Sequence, residues 1–296
     1  FGTALHGNFA LFGLLGVEEQ ANARLRDILQ QWWDQKDAGV DEPVIPWSPG
    51  DGDVALRLSG TISQWDTRDV TDMSYLFKYD PENGYRGWTD SFNITGWDTS
   101  NVTNMAGMFE GNIGFGGVQS SDIYKSNYQI GGVTADPESR WDVSNVTNME
   151  NMFHGCHSFN VDIRGWNTSK VTNMAGMFRN ASFFNRDIEN WDVSNVQYMT
   201  RMFEGTETSP NIGNWHVSNV QYMERMFLNC WFNSDIGNWD VRNVKSMERM
   251  FFNARAFNQD LKPWVITPDT NTDDMFGCGG TGCPTPMEDA NKPDLP

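Results

Sequence analysis

Positive charge is scarce in this chain: 21 Lys and Arg stand against 39 Asp and Glu, a formal net charge of −18 at pH 7. Such a chain repels phosphate backbones and shows no basic stripe, which argues against nucleic acid as a partner. Long apolar runs are missing too, so no segment reads as a membrane span. The sequence also lacks the nucleophile elbow G-x-S-x-G, the zinc helix H-E-x-x-H, a Walker loop, a dinucleotide fingerprint and a calcium loop. The "GFGG" at 114–117 is too short for a phosphate site. These absences point away from an enzyme and leave no cofactor implied.

What is present is repetition. The stretch WDVSNVTNMENMF at 141–153 recurs as WDTSNVTNMAGMF at 97, WNTSKVTNMAGMF at 166, WDVSNVQYMTRMF at 191, WHVSNVQYMERMF at 215 and WDVRNVKSMERMF at 239. Looser copies begin at Trp65 and Trp264, and the framing tryptophans are separated by 32, 44, 25, 25, 24, 24 and 25 residues. A period of this length marks stacked supersecondary units, each too small to bury its own apolar face.

Positions are counted from the tryptophan of each unit. Position +2 is β-branched in all eight (Thr67, Thr99, Val143, Thr168, Val193, Val217, Val241, Ile266), which predicts an extended backbone there. An Ile or Leu at −3 and a Val at +5, each in seven units, complete a frame resembling the leucine-rich-repeat template. Apolar residues at +8, +11 and +12 suit one helical turn. Fourteen of the fifteen methionines fall in this frame, and Phe fills +12 throughout. A Met stripe can mark a binding groove or a soft-metal site, but framed positions are read here as core gap-fillers.

These units, followed by F-N-x-D-I-x-x-W as in Phe159 to Trp166, resemble the BspA-like leucine-rich repeat, also described from Mycoplasma surface lipoproteins. The resemblance covers about residues 54–276. It implies a repeat solenoid with one short parallel strand and one helical turn per unit of about 25 residues. It also implies a secreted or cell-surface, extracellular location and a role in adhesion or protein interaction.

Outside the repeats, residues 1–50 read as an apolar segment, a capping helix and a linker; 51–276 as about eight rungs; and 277–296 as a C-terminal cap and tail. "VEEQANARLRDILQQWWDQKDAG" (17–39) carries Ala21, Leu25, Ile28, Leu29, Trp32 and Trp33 at helical spacing and Gly39 as a stop. The helix is read as covering the open end of the stack, with a partner-binding helix as the competing reading. A start at Phe1 fits a processed chain or a fragment, and apolar residues 1–16 suit docking into a neighbour.

The intervals that vary suggest the binding surface. From the +12 Phe to the next Trp the regular spacing is 12 or 13 residues, but it is 20 after Phe77 and 32 after Phe109. Both insertions leave the same corner and carry Tyr79, Tyr85, Trp88, Phe115, Tyr124 and Tyr128, read as binding residues or as anchors of the long loops. Trp231, at +16, joins them as an exposed candidate. Position +1 stacks Asp66, Asp98, Asp142, Asp192 and Asp240 in one column, whose repulsion must be offset by Ser or Arg at +3 and neighbouring amides, by cations, or by a basic partner. Cys278 and Cys283 in "CGGTGC" are expected to form a local disulfide, whereas Cys156 and Cys230 read as buried free thiols. "HGCH" (154–157) reads as a coincidence rather than a metal site. Of five glycosylation sequons, Asn93 and Asn180 are the better candidates, because Asn101 and Asn145 occupy the stacking position +4.

Two functions remain open. One is a recognition module holding a protein or glycan. The other is a structural subunit of an extracellular filament, sheath or larger complex that self-associates through residues 1–16.

Overall fold

The computed structural model describes residues 17–40, 43–45, 60–79, 94, 96–115, 141–278 and 291–295. Helix α1 spans Val17–Asp37, and its inner face buries Ala21, Leu25, Ile28, Leu29 and Trp32. It ends in a Schellman turn: Gly39 takes φ +87°, its amide donates to Lys36 O at 2.9 Å, and the Val40 amide reaches Gln35 O at 3.0 Å.

Beyond α1 the described chain pairs through single residues. Parallel bridges join Asp72, Asn104, Asn148, Asn173, Tyr198, Tyr222, Ser246 and Asn271 in succession, one residue per unit and always at +7. Downstream of each bridge the amides at +8, +10, +12 and +14 donate forward to the next unit. Met149 N reaches Asn173 O at 2.9 Å, Asn151 N reaches Ala175 O at 2.8 Å, Phe153 N reaches Met177 O at 3.0 Å and Gly155 N reaches Arg179 O at 2.8 Å. Amides at +11, +13 and +15 instead close tight turns within the unit, as Met152 N does on Met149 O (3.2 Å) and Cys156 N on Phe153 O (3.1 Å).

Splitting the two sets this way demands left-handed backbone at regular points. Position +10 has positive φ in all eight units, and +14 in the six from Gly111 to Asn253. Gly or Asn fills +14 in those six, as that conformation favours.

The pairing therefore lies at +6 to +14, downstream of the +2 position where β-branching predicts a strand, and a run of turns stands where a helical turn is predicted. The β-branched residue serves packing instead. Thr67, Thr99 and Thr168 are buried, and each hydroxyl donates to the +1 carbonyl of the next unit: Asp98 O at 2.8 Å, Asp142 O at 2.9 Å and Asp192 O at 2.9 Å. Val143, Val193, Val217 and Val241 fill the same slot by shape alone.

The core is a set of aromatic and methionine columns running along the stack. The +12 phenylalanines lie nearly parallel, with centroids 5.9 Å apart for Phe109–Phe153 and Phe153–Phe178 and 5.8 Å for Phe178–Phe203. A second Phe packs on each of several of these, as Phe159 does on Phe153 at 3.8 Å and Phe184 on Phe178 at 4.0 Å. The framing tryptophans stack too, Trp166–Trp191 and Trp239–Trp264 both at 6.3 Å. Their indole N–H groups donate to the −3 Ile carbonyl one unit back, as in Trp191 to Ile163 O at 3.2 Å. The buried indole N–H of Trp166 has no such partner.

Candidate interaction surfaces

One corner of the stack, at +16 and +17, exposes large apolar side chains. Ile113 is 61% exposed, Phe183 63% and Trp231 56%, in units that alternate along the stack with those bearing His157 and Glu207. The corner is held in register by backbone bonds between units: Ser158 N to Ile113 O at 3.1 Å, Phe183 N to His157 O at 3.1 Å and Trp231 N to Thr206 O at 3.2 Å. Trp231 lines a pocket with Asn229, Asn253 and Arg255. At the usual spacing of about 4.8 Å between paired chains, alternate apolar residues stand roughly 10 Å apart. Such a row offers anchors of the kind that dominate protein interfaces.

Of the other expected binding residues, Tyr79 is 37% exposed and donates its amide to Glu110 O at 2.7 Å. Tyr85, Trp88, Tyr124, Tyr128 and Asn93 lie outside the described residues. Phe115 is corrected: at 1% exposure it is core, stacked on Phe109 at 4.0 Å and on Phe159 at 5.9 Å. It stands six residues after Phe109, as Phe159 does after Phe153, so it belongs to the inner Phe column and the insertion begins beyond it.

The acidic column is hydrogen-bonded within each unit, and Asp66 and Asp240 also pair with Arg68 and Arg242, both at 2.7 Å. Each Asp accepts the +3 amide in a tight turn: Asp66 from Arg68 (3.2 Å), Asp98 from Ser100 (3.0 Å), Asp142 from Ser144 (2.8 Å), Asp192 from Ser194 (3.0 Å) and Asp240 from Arg242 (3.3 Å). Bonds from the Ser194 side chain and amide hold the Asp192 carboxyl below the usual range, and the Arg242 guanidinium does the same for Asp240. The +4 asparagines are occupied as well. The amides of Asn101 and Asn145 donate to Arg68 O at 2.8 Å and Ser100 O at 2.7 Å. Asn180 sits at φ +55°, with its side-chain oxygen against Gly205.

Cys156 and Cys230 are buried free thiols, and Cys156 donates to Phe109 O at 3.0 Å. Cys278 is half-buried and carries a free thiol, and Cys283, its expected partner, lies outside the described residues. The HGCH side chains diverge: His154 Nδ1 meets Glu110 at 3.3 Å, Cys156 turns inward, and His157 Nδ1 lies 3.4 Å from the Ser182 hydroxyl.

Sequence reasoning missed a second surface. Tyr198 and Tyr222, at +7 in adjacent units, stack at 5.4 Å with planes 4° apart, and Tyr198 is 42% exposed. The signal was the Gln-Tyr of 197–198 and 221–222, where most units carry Asn or Asp at +7.

The chain matches the family described as "Mycoplasma protein of unknown function, DUF285" over residues 53–134, 122–231 and 208–280. These matches span most of its length, and the chain belongs to that family. No curated protein and no solved structure matches it. Among the described residues no helix is long and apolar enough to cross a membrane.

Proposed function

We propose that the chain is a non-catalytic recognition module: a leucine-rich-repeat-like solenoid of the BspA-like kind that binds a protein partner outside the cell or at its surface. The observation that supports this most is the corner bearing Ile113, Phe183 and Trp231. Three large apolar side chains, each more than half exposed, stand on backbone that the repeat holds rigidly. Isolated exposed apolar residues are ordinary, but a row on one edge of a stacked scaffold is how repeat proteins present binding residues.

The test is binding of the fluorescently labelled chain to intact cells and to extracted extracellular matrix, comparing wild type with Phe183→Ala/Trp231→Ala. Loss of saturable binding with an unchanged melting temperature is expected. Equal binding by the variant would overturn the reading.

A further inference from the structure

The two ends of the stack are closed differently. Helix α1 covers the first unit, its apolar residues joining the common core. At the last unit, residues 264–276, one half is covered: the Asn291 carbonyl accepts the Leu261 amide at 2.9 Å, and the Asn291 side chain donates to Asn258 at 3.2 Å. The other half, residues 271–276, is an edge. Asn271 bridges back to Ser246, and no described residue is bridged to its far side.

That edge carries a fixed pattern of donors. At every earlier junction the +8, +10 and +12 amides donate to the +7, +9 and +11 carbonyls of the next unit, as Met247, Arg249 and Phe251 do to Asn271 (2.7 Å), Asp273 (2.9 Å) and Met275 (2.9 Å). The equivalent amides of Thr272, Asp274 and Phe276 have no acceptor among the described residues, and all three residues are at least part-exposed. The carbonyls of Thr272 and Asp274 are engaged inside the unit, by Met275 N at 3.1 Å and Gly277 N at 3.0 Å. The edge therefore asks a neighbour for carbonyls at alternate residues, which is what one side of an extended chain presents.

Side chains narrow the occupant. Opposite charges cross the two junctions before this edge, Arg225 to Glu248 at 3.3 Å and Arg249 to Asp274 at 3.1 Å. On the last unit, exposed Asp269 and Asp273 have no cation among the described residues, so a Lys or Arg from outside continues the series. Phe276 ends the +12 column, stacked on Phe251 at 5.6 Å and met by Lys292 Nζ at 5.9 Å, with no further Phe after it among the described residues. An apolar side chain from outside extends that column. A second copy of the chain does not fit. Two such edges meet donor to donor and acid to acid, and at the N-terminal end Arg26 already takes the Ser74 carbonyl at 2.8 Å.

We propose that the edge at 272–276 binds an extended, basic segment of another protein, which adds to the stack in parallel as one more unit. Its alternate carbonyls accept the three amides, an apolar side chain packs on Phe276, and Lys or Arg stands beside Asp269 and Asp273. The edge lies at the end of the stack and shares no residue with the Ile113–Trp231 corner, so either surface can fail without the other.

The test titrates the full, isotope-labelled chain with an acetylated, amidated peptide in which Lys alternates with Val around a central Phe, and with the same peptide carrying Glu for Lys. Binding is read from the backbone amide NMR signals and their hydrogen exchange. In the free chain the amides of Thr272, Asp274 and Phe276 should exchange freely with solvent. The Lys peptide should shift them saturably and slow their exchange at least tenfold, and the Glu peptide should do neither. Asp269→Asn/Asp273→Asn should weaken binding about fivefold, as loss of exposed ion pairs does. Thr272→Pro removes a donor that the fold leaves unused, and should abolish binding with the melting temperature unchanged. Protection of these amides in the free chain, equal binding of the Glu peptide, no binding of the Lys peptide, or unchanged affinity in either variant would overturn the proposal.

Discussion

The side-chain oxygen of Asn22 accepts the amides of both Thr71 and Asp72, at 2.9 and 3.1 Å. Between later units the same two donors, at +6 and +7, share the +6 carbonyl of the unit before, as Thr103 and Asn104 share Thr71 O at 2.8 and 3.3 Å. Arg26 extends the substitution: its Nη1 donates to Ser74 O at 2.8 Å, in the place of the +10 amide that a preceding unit would supply. Helix α1 thus covers the first unit by copying the hydrogen bonds of a neighbour as well as by burying its apolar face.

It follows that Asn22→Ala destabilises the fold beyond its lost packing. Two part-buried amides lose their acceptor, at a cost of about 1–3 kcal/mol. Urea denaturation checks this, and Asn22→Asp, which keeps an acceptor, should lose less than Asn22→Ala. Equal losses for the two would show that the cap works through packing alone.

Phe178→Ala should be costlier. Phe178 is fully buried between Phe153 at 5.9 Å and Phe203 at 5.8 Å, with Phe184 at 4.0 Å, so truncation opens a void in two columns at once. Large core truncations of this kind cost about 3–5 kcal/mol. A loss below about 1 kcal/mol on urea denaturation would count against a rigid aromatic core.

The repeat frame was legible because every unit must solve the same burial problem, so Trp, Met and Phe return at fixed offsets. Its backbone was harder to read. Thr67 and Val143 have the shape of strand residues, yet they answer a buried contact at +2. The left-handed residues at +10 leave no clear trace, since Tyr75, Arg201 and Asp274 occupy the position as well as Gly107. Trp231 was legible as exposed because His157, Ser182 and Arg255 hold the same position in other units. Phe115 was misplaced because the long interval after Phe109 hid its equivalence to Phe159. Tyr198 and Tyr222 escape a reading that follows insertions, because their surface arises by substitution within regular units.

The thiols should divide by burial. Desolvation pushes the Cys230 thiol up to about 12 and the Cys156 thiol well above the usual range, and only the thiolate reacts quickly. Alkylation of the native chain followed by peptide mass spectrometry should therefore label half-buried Cys278 and spare Cys156 and Cys230 until denaturant is added. Rapid native labelling of either buried thiol would contradict the packing described.

Acid should weaken the junction between the units at Trp97 and Trp141. Glu110 lies between His154, at 3.3 Å, and Lys78, at 3.2 Å. The His154 hydrogen bond, followed by those of Lys78, holds its carboxyl below the usual range despite partial burial. A carboxyl lowered in the folded state contributes stability that is fully present above its unfolded value, about 4.3, and is lost as pH falls through the lower folded value. Glu110→Gln removes that contribution without removing the side-chain volume. The variant should thus melt below wild type at pH 7, and the gap should close as pH drops below about 4. Asp162 beside Arg164 and Asp240 beside Arg242 are lowered in the same sense, so both proteins lose stability in acid and only the difference between them reports on Glu110. Melting curves at half-unit steps from about pH 7 to about pH 3 measure it. A gap that stays constant across that range would mean that the carboxylate charge at Glu110 contributes nothing, and that the residue acts there by packing alone.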